Sequence, residues 1–200
     1  MNAIEQFEHN GKRVSIYQDE DAQSPREWDQ LGEMVHWHRN YNLGDREATE
    51  TELRALRSGG FPVLRRYLRR FYGVSHLIPM GLLDHSGLHV YADGGAHWTD
   101  SQGWDSGTVG FIMATPKTIE MCGTPDELID EGLRAEIEEF DQFLRGDVYG
   151  YVVEEEIKAS GTDSAGTEHE YSEYEHVDSC SGFFGFEYCK QAAIEAADSD

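Results

Sequence analysis

The residues best suited to chemistry lie together at positions 82–112, where two short patterns of one kind recur. Asp-His-Ser-Gly occupies 84–87 and Trp-Asp-Ser-Gly occupies 104–107, and strand-like residues flank each pattern. The stretch contains three histidines, four aspartates and six glycines, so ionisable side chains lie on tightly turning backbone. We call 84–87 the first Ser-Gly turn and 104–107 the second Ser-Gly turn.

Nucleophilic or acid–base catalysis is the first chemistry that these turns could support. The candidate catalytic residues are Asp84, His85, Ser86, Asp105 and Ser106. A serine on a tight turn can be exposed, but neither serine fits the Gly-x-Ser-x-Gly pattern of a nucleophile elbow. In the alternative interpretation, the two aspartates accept backbone N–H bonds and lock their own turns. We favour this structural interpretation because turn-capping aspartates are common.

Binding of a divalent metal is the second chemistry, since histidine and carboxylate ligands lie close in sequence. His85 and His89 are the candidate ligands of a metal-dependent hydrolase whose site would also include Asp84, Trp104 and Asp105. On a straight strand, residues four apart have Cα atoms roughly 13 Å apart. A shared ion would therefore require the first Ser-Gly turn to fold the segment back. The chain has no His-Glu-x-x-His pattern, so we expect no cofactor and interpret the histidines as structural.

Hydrophobic periodicity indicates the elements that would position these residues. Alternating patterns predict strands near residues 12–18, 34–38, 77–91, 108–114, 148–157 and 170–177. Helical spacing predicts two principal helices, near 61–72 and 125–145, and a shorter helix near 51–58. We therefore predict an α+β fold, a single domain over 1–200 with a mainly antiparallel β-sheet packed against the two principal helices. We also expect a flexible hairpin tip at 159–168 and a disordered tail at 196–200.

Arginines are concentrated in the predicted helices between residues 51 and 72. Six of the twelve arginines lie there, and four of them occupy the stripe opposite the apolar one in the second helix. These four, Arg65, Arg66, Arg69 and Arg70, we call the arginine face. One interpretation is a phosphate or nucleic-acid contact. The other, which we favour, is a solvated face that pairs with the acidic second half of the same chain.

Acidic residues outnumber basic ones and are unevenly distributed. The net charge is −23, and residues 120–200 hold 23 acidic residues against four basic ones. This composition fits a soluble surface that repels nucleic acid, salt adaptation in a halophile, or imitation of a phosphate backbone. We predict that the acidic half forms a contact surface for a protein. The predicted binding residues are Trp37, His38, Trp104, Glu138, Glu139, Asp141, Glu154 and Glu155.

The cysteines and the apolar segments indicate the compartment. Three cysteines without metal-ligand spacing are typical of reduced thiols in a cytoplasmic protein. The N-terminal residues have no apolar signal region, and no apolar run reaches transmembrane length. We therefore expect a cytoplasmic protein with no membrane partner.

Several long blocks of the chain resemble one family. The blocks are SIYQDEDAQSPREWDQLGEMVHWHRNYNLGD, LLDHSGLHV, WDSGTVGFI, EIEEFDQFLRGDVYGYVVE and VDSCSGFFG. They resemble an uncharacterised family encoded by phages, archaeal viruses, plasmids and integrative elements, and the resemblance covers most of the chain between residues 14 and 189. It implies a context rather than an activity, namely a small accessory protein of a mobile element.

Together these observations predict a non-enzymatic function. We expect a mobile-element accessory protein in the host cytoplasm that binds a host protein as a host-takeover factor, with nucleic-acid mimicry as one form of that binding. Direct binding to nucleic acid is not expected, and the sequence does not predict an oligomeric state. The alternatives are the metal-dependent hydrolase described above and a structural protein of the element.

Overall fold

Helices separate groups of consecutive strands along the chain. A computed structural model describes residues 3–100, 102–162, 164 and 166–199, and within them nine strands and four α-helices follow one another. These elements are β1 (Glu5–His9), β2 (Lys12–Gln18), β3 (Gly32–His36), β4 (Arg46–Glu47), α1 (Glu50–Tyr72), β5 (His76–Asp84), β6 (Leu88–Ala92), β7 (Ser106–Ala114), α2 (Pro116–Cys122), α3 (Ile129–Arg145), β8 (Val148–Thr162), β9 (Glu168–Phe184) and α4 (Phe186–Asp198). No described helix is both long and apolar enough to cross a membrane.

The strands form two sheets, and the predicted α+β class is confirmed. One sheet has the order β1-β2-β8-β9 and the other the order β4-β3-β7-β5-β6; the pair β3–β4 is the parallel one. We expected one sheet, but β2 pairs with β8 and not with β3. The domain correspondingly divides into two compact units. We call them the terminal unit (Met1–Gln23 and Gly146–Asp200) and the central unit (Ser24–Arg145).

Strand register builds the core of the terminal unit. Val14 lies opposite Val153 and Ile16 opposite Tyr151, so that apolar side chains share one face of the sheet. That face is covered by α4, whose Ala197 is fully buried. The prediction of a disordered tail at 196–200 is therefore wrong for residues 196–198, because they belong to α4 and pack with it. Residue 200 lies outside the described residues.

The β8–β9 hairpin is longer than its sequence pattern indicated. The two strands pair without interruption at the far end until Thr162 lies opposite Glu168. Residues 159–162 and 168 of the expected flexible tip at 159–168 are therefore paired strand residues. Within that interval, residues 163 and 165 lie outside the described part of the chain. We call residues 154–162 and 168–178 of this hairpin the arm.

The central unit places its sheet between two layers of helix. Leu133 and Ile137 of α3 belong to the apolar cluster on one face, and Leu64 and Leu68 of α1 belong to the cluster on the other. The backbone of α1 is not helical at Gly59 and Gly60, which confirms the predicted division into two helices. The principal helix predicted near 125–145 is also present, as α3, although its regular part begins at Ile129.

Candidate functional site

The two Ser-Gly turns meet at one end of the central sheet, since β5 and β7 are antiparallel neighbours. Leu83 of β5 pairs with Ser106 of β7. Just beyond this pair, the Asp84 N–H donates to the Asp105 carbonyl oxygen at 2.8 Å. His85 Nδ1 lies 3.1 Å from Asp105 Oδ2, and both side chains are at least half exposed. The four candidate catalytic residues other than Ser106 are thus on an open surface, which we call the turn corner.

Asp100 is the residue that locks the second Ser-Gly turn. Its Oδ2 accepts hydrogen bonds from the Asp105 N–H and the Ser106 hydroxyl, both at 2.8 Å. Ser106 Oγ in turn accepts a bond from the His97 N–H at 2.9 Å. Burial opposes ionisation of Asp100, but the hydrogen bonds outweigh it, and its pKa lies below the ordinary value. Ser106 is therefore part of a turn lock, but its acceptor is Asp100. We expected Asp84 and Asp105 to lock their own turns, whereas their carboxylates contact Tyr41 and His85 instead.

The first Ser-Gly turn is connected to His38 through a tyrosine. The Tyr41 hydroxyl donates to Asp84 Oδ2 at 3.1 Å, and this hydrogen bond raises the pKa of Tyr41. The Tyr41 ring stacks on His38 with a centroid separation of 4.9 Å. Trp37, the other predicted binding residue of this segment, instead packs against the core beside Phe111. His38 therefore lies near the turn corner, whereas Trp37 supports the opposite face of the sheet.

His89 belongs to a different polar network from His85. His89 Nδ1 lies 2.7 Å from Asp141 Oδ1, which also accepts the Val90 N–H, while Arg145 Nε donates to Asp141 Oδ2. Asp141 is buried at 3% exposure. It was predicted as a contact residue, and this is wrong because its carboxylate is enclosed by donors of its own unit. The acidic side chain fixes α3 to the edge strand β6.

The two predicted metal ligands do not converge on a common site. His85 is held by Asp105 and His89 by Asp141. Among residues 3–100, 102–162, 164 and 166–199, no group of three or more histidine, cysteine, aspartate or glutamate side chains is placed to hold a metal ion. The turn corner offers an exposed imidazole, that of His85, which the Asp105 carboxylate orients. An imidazole in such a position is suited to general acid–base chemistry.

Two tryptophans are almost fully exposed near the turn corner. Trp98 is 85% exposed and Trp104 is 83% exposed. Trp98 lies beside His97, whose ring contacts those of His89 and Tyr91 at centroid distances of 5.1 and 4.9 Å. Trp104, a predicted binding residue, is therefore accessible to a partner.

The predicted acidic contact residues are divided between the two units. On α3, Glu138 is exposed and Glu139 is half-buried. Burial, followed by repulsion from the Glu136 carboxylate, raises the pKa of Glu139. In the terminal unit, Glu154 pairs with Arg13 at 2.6 Å, while Glu155 is exposed. The acidic half of the sequence is thus not one continuous structural element.

The arm is an acidic surface that sequence reasoning did not recognise as one element. Every residue of β9 from 168 to 182 is exposed. Ile157, Tyr171, Tyr174 and Val177 are exposed apolar or aromatic residues of the arm. The strand alternation of residues 148–157 and 170–177 was visible in the sequence, but the length of the pairing was not.

Asp100 and Tyr41 are further residues that sequence reasoning missed. Asp100 precedes a Ser-Gln-Gly segment, a composition typical of turns, so its capping role had a local signal. Tyr41 had no local signal, because its contact with Asp84 spans 43 positions.

Compared with known proteins, the chain matches no protein-family model, no curated protein and no solved structure.

Proposed function

We propose that this protein is a non-enzymatic accessory protein of a mobile element that binds a basic host protein through the arm. The resemblance of the sequence blocks supports the mobile-element context. The observation that carries the binding proposal is the exposed, acidic and tyrosine-containing surface of β8 and β9 beyond the core of the terminal unit.

The arm is not explained by the packing of the terminal unit. The apolar core under α4 ends at Val153 on β8, and β2 pairs with β8 only as far as Glu155. Beyond that point the hairpin is a two-stranded ribbon, about 20 Å long for the seven remaining residues of β8. Such a ribbon gains little from its own contacts, so its exposed side chains favour a role in binding.

Carboxylates outnumber basic residues in the arm, which holds eight acidic residues and one lysine, Lys158. On the β2 side, Lys12 lies opposite Glu155 in the strand register. Glu155 lies directly opposite Glu175 in the strand register, a pairing in which like charges repel. Arg13, which meets Glu154, is the basic residue that the described part of the terminal unit supplies to an arm carboxylate. A basic partner would relieve this repulsion, and its attraction to the arm would accelerate association.

Tyrosines give the arm the anchors that protein interfaces use. Tyr171 is 48% exposed and Tyr174 is 43% exposed, and tyrosine is enriched among interface residues that dominate binding energy. Arg13 lies over the Tyr174 ring at 3.3 Å from its centroid, which holds that ring in place. At the base of the hairpin, a depression of about 590 Å³ is lined in part by Tyr17, Asp19 and Tyr151. It could receive a side chain of the partner.

The proposal is tested by comparing two charge variants with the wild type. The arm variant is Glu156→Gln/Glu173→Gln/Glu175→Gln. The matched control is Glu120→Gln/Glu127→Gln/Glu131→Gln, which removes the same charge from exposed positions of the central unit. Each protein is used for affinity capture from host extract with quantitative mass spectrometry, and the captured protein is then purified and titrated by calorimetry.

We expect a basic protein to be captured by the wild type and the control, and its affinity for the arm variant to fall at least about tenfold. The affinity should also fall with rising salt, because exposed charge interactions are screened. Equal capture by the arm variant, or no protein enriched over that variant, would contradict the proposal.

A further inference from the structure

The arginine face forms no ion pair with the described residues of the central unit, although that unit is rich in carboxylates. The central unit contains eleven arginines and 20 acidic residues. Five of the arginines form ion pairs within the unit, at distances up to 3.7 Å. The other six form none with any carboxylate of residues 24–100 and 102–145; they are Arg39, Arg54, Arg65, Arg66, Arg69 and Arg70. We expected the arginine face to pair with the acidic second half of the chain, and for the acids of that half at 120–145 this is wrong.

Helix packing turns all four arginines of the face toward solvent. Leu64 and Leu68 are fully buried against the sheet, so the positions that follow each of them lie on the outer side of α1. Three of the four arginines line a depression of about 170 Å³ together with Val74, Ser75 and Leu77. The lining contains no carboxylate, and Arg65 Nη2 donates to the Leu77 carbonyl oxygen. The depression is thus a cationic groove with one guanidinium anchored in its wall.

Helix stability does not account for this arrangement. Arg69 and Arg70 lie in the last turn of α1, where cations stabilise the helix dipole. Arg65 and Arg66 lie a turn earlier, and each is four residues from another arginine, a spacing at which like charges repel. A bound anion from outside the unit would relieve the repulsion within the arginine face.

Aromatic side chains adjoin the arginine face. Phe71 is 64% exposed and Tyr72 is 52% exposed. The Arg70 guanidinium carbon lies 5.8 Å from the centroid of the Phe71 ring. Guanidinium groups match the geometry of phosphate oxygens, and exposed aromatic rings stack on unpaired bases. The two together are the combination found in proteins that bind single-stranded nucleic acid.

We propose that the arginine face, with Phe71 and Tyr72, binds single-stranded nucleic acid. A backbone phosphate occupies the groove lined by Arg65, Arg66 and Arg69, and a neighbouring base stacks on Phe71 or Tyr72. The net charge of the chain argues against long-range attraction, and on that ground nucleic-acid binding was not expected. At about 0.1 M salt, however, charges more than about 10 Å away are largely screened, while direct guanidinium–phosphate contacts remain.

The test is fluorescence anisotropy with a labelled oligothymidylate and the full chain. We expect binding that weakens between about 50 and 200 mM salt, with a logarithmic slope near −2 for three phosphate contacts. The variant Arg66→Glu/Arg69→Glu should lower the affinity at least about tenfold. The matched control Arg54→Glu/Arg57→Glu makes the same charge change in the exposed first part of α1 and should lower it far less. Phe71→Ala should weaken binding about fivefold or more without changing the salt slope.

Circular dichroism of each variant establishes that the fold is retained. The arm variant described above should bind the oligonucleotide at least as tightly as the wild type, so this inference and the proposed function fail independently. No binding at low salt, or equal binding by Arg66→Glu/Arg69→Glu, would overturn the proposal. So would equal affinity for duplex DNA, binding of inorganic phosphate with no gain for the oligonucleotide, or binding seen only when the arm carboxylates are removed.

Discussion

The central unit and the arm of the terminal unit differ in what their carboxylates contact. In the central unit, the guanidinium of Arg26 is 6% exposed and bridges Asp45 and Glu136. Arg46 similarly joins Glu33 to the buried Glu52. In the arm of the terminal unit, by contrast, carboxylates are exposed and two of them lie directly opposite each other. Buried carboxylates connect elements of the fold in the central unit, whereas exposed carboxylates of the arm remain available to a partner.

This difference shows that the net charge of the chain is not a single property. The terminal unit holds 19 acidic residues against four basic ones, and the central unit holds 20 against 12. Their net charges are therefore −15 and −8. In the central unit the acids that are buried receive several donors each, which is the condition for burying a carboxylate. The composition alone cannot separate these acids from those of the arm.

The largest effect is expected when a buried acidic side chain of the central unit is removed. Glu136 accepts hydrogen bonds from the Leu31 and Gly32 N–H groups and from Arg26 Nη1, at 2.8 to 3.2 Å. We expect Glu136→Ala to lower the free energy of unfolding by about 3–5 kcal/mol, because these donors would remain buried without an acceptor. Urea unfolding monitored by circular dichroism measures the change.

The matched control for this change lies on the same helix. Glu138 is exposed, and Glu138→Ala should alter the free energy of unfolding by less than about 0.5 kcal/mol. Equal effects of the two substitutions would show that the buried network does not distinguish the central unit.

A smaller effect is expected for the pH dependence of the stability that the buried Glu52 contributes. Burial favours the neutral form of Glu52, but hydrogen bonds from Arg46 and Thr49 outweigh it and lower its pKa. A carboxyl whose pKa is depressed by folding adds stability above its unfolded pKa, and this stability is lost as the pH falls through the folded pKa. We expect Glu52→Gln to cost about 2 kcal/mol near neutral pH. The difference should shrink progressively below about pH 4.

Unfolding curves of the wild type and variant across this pH range provide the measurement. Glu50→Gln is the control, since Glu50 lies in the same helical turn and contacts Arg57 only at 3.7 Å. A constant difference between wild type and Glu52→Gln down to acidic pH would refute the assigned role of the Glu52 charge.

The smallest expected effect concerns the arm. Glu175→Lys replaces the repulsion with Glu155 by an attraction, so it should raise the free energy of unfolding by about 0.5 kcal/mol. The gain should decrease with added salt. Glu170→Lys is the control, because Glu170 lies opposite Ser160 and relieves no facing carboxylate. Destabilisation by Glu175→Lys in low salt would mean that the arm carboxylates support the fold, as those of the central unit do.

Local patterns in the sequence were sufficient to predict several helices, strands and a turn. Apolar spacing identified α3 and both halves of α1, and alternation identified strands of both sheets. The Asp-His-Ser-Gly pattern identified the turn between β5 and β6, whereas Ser106 and Gly107 of the second pattern lie in β7 and pair with Leu83 and Leu82. These features could be predicted because helix and strand periodicity, and the conformations of turn residues, depend on neighbours in the chain.

The sequence by itself determined the α+β class, the excess of acid and the position of the first Ser-Gly turn. The tertiary structure decided that β2 pairs with β8 and that Asp141 is buried. It also decided that the arginine face forms no ion pair with a carboxylate of residues 24–100 and 102–145. Strand partners and the burial of a charge depend on contacts between residues far apart in the chain. No local pattern encodes these contacts, and they separate acids that stabilise the fold from acids that remain exposed.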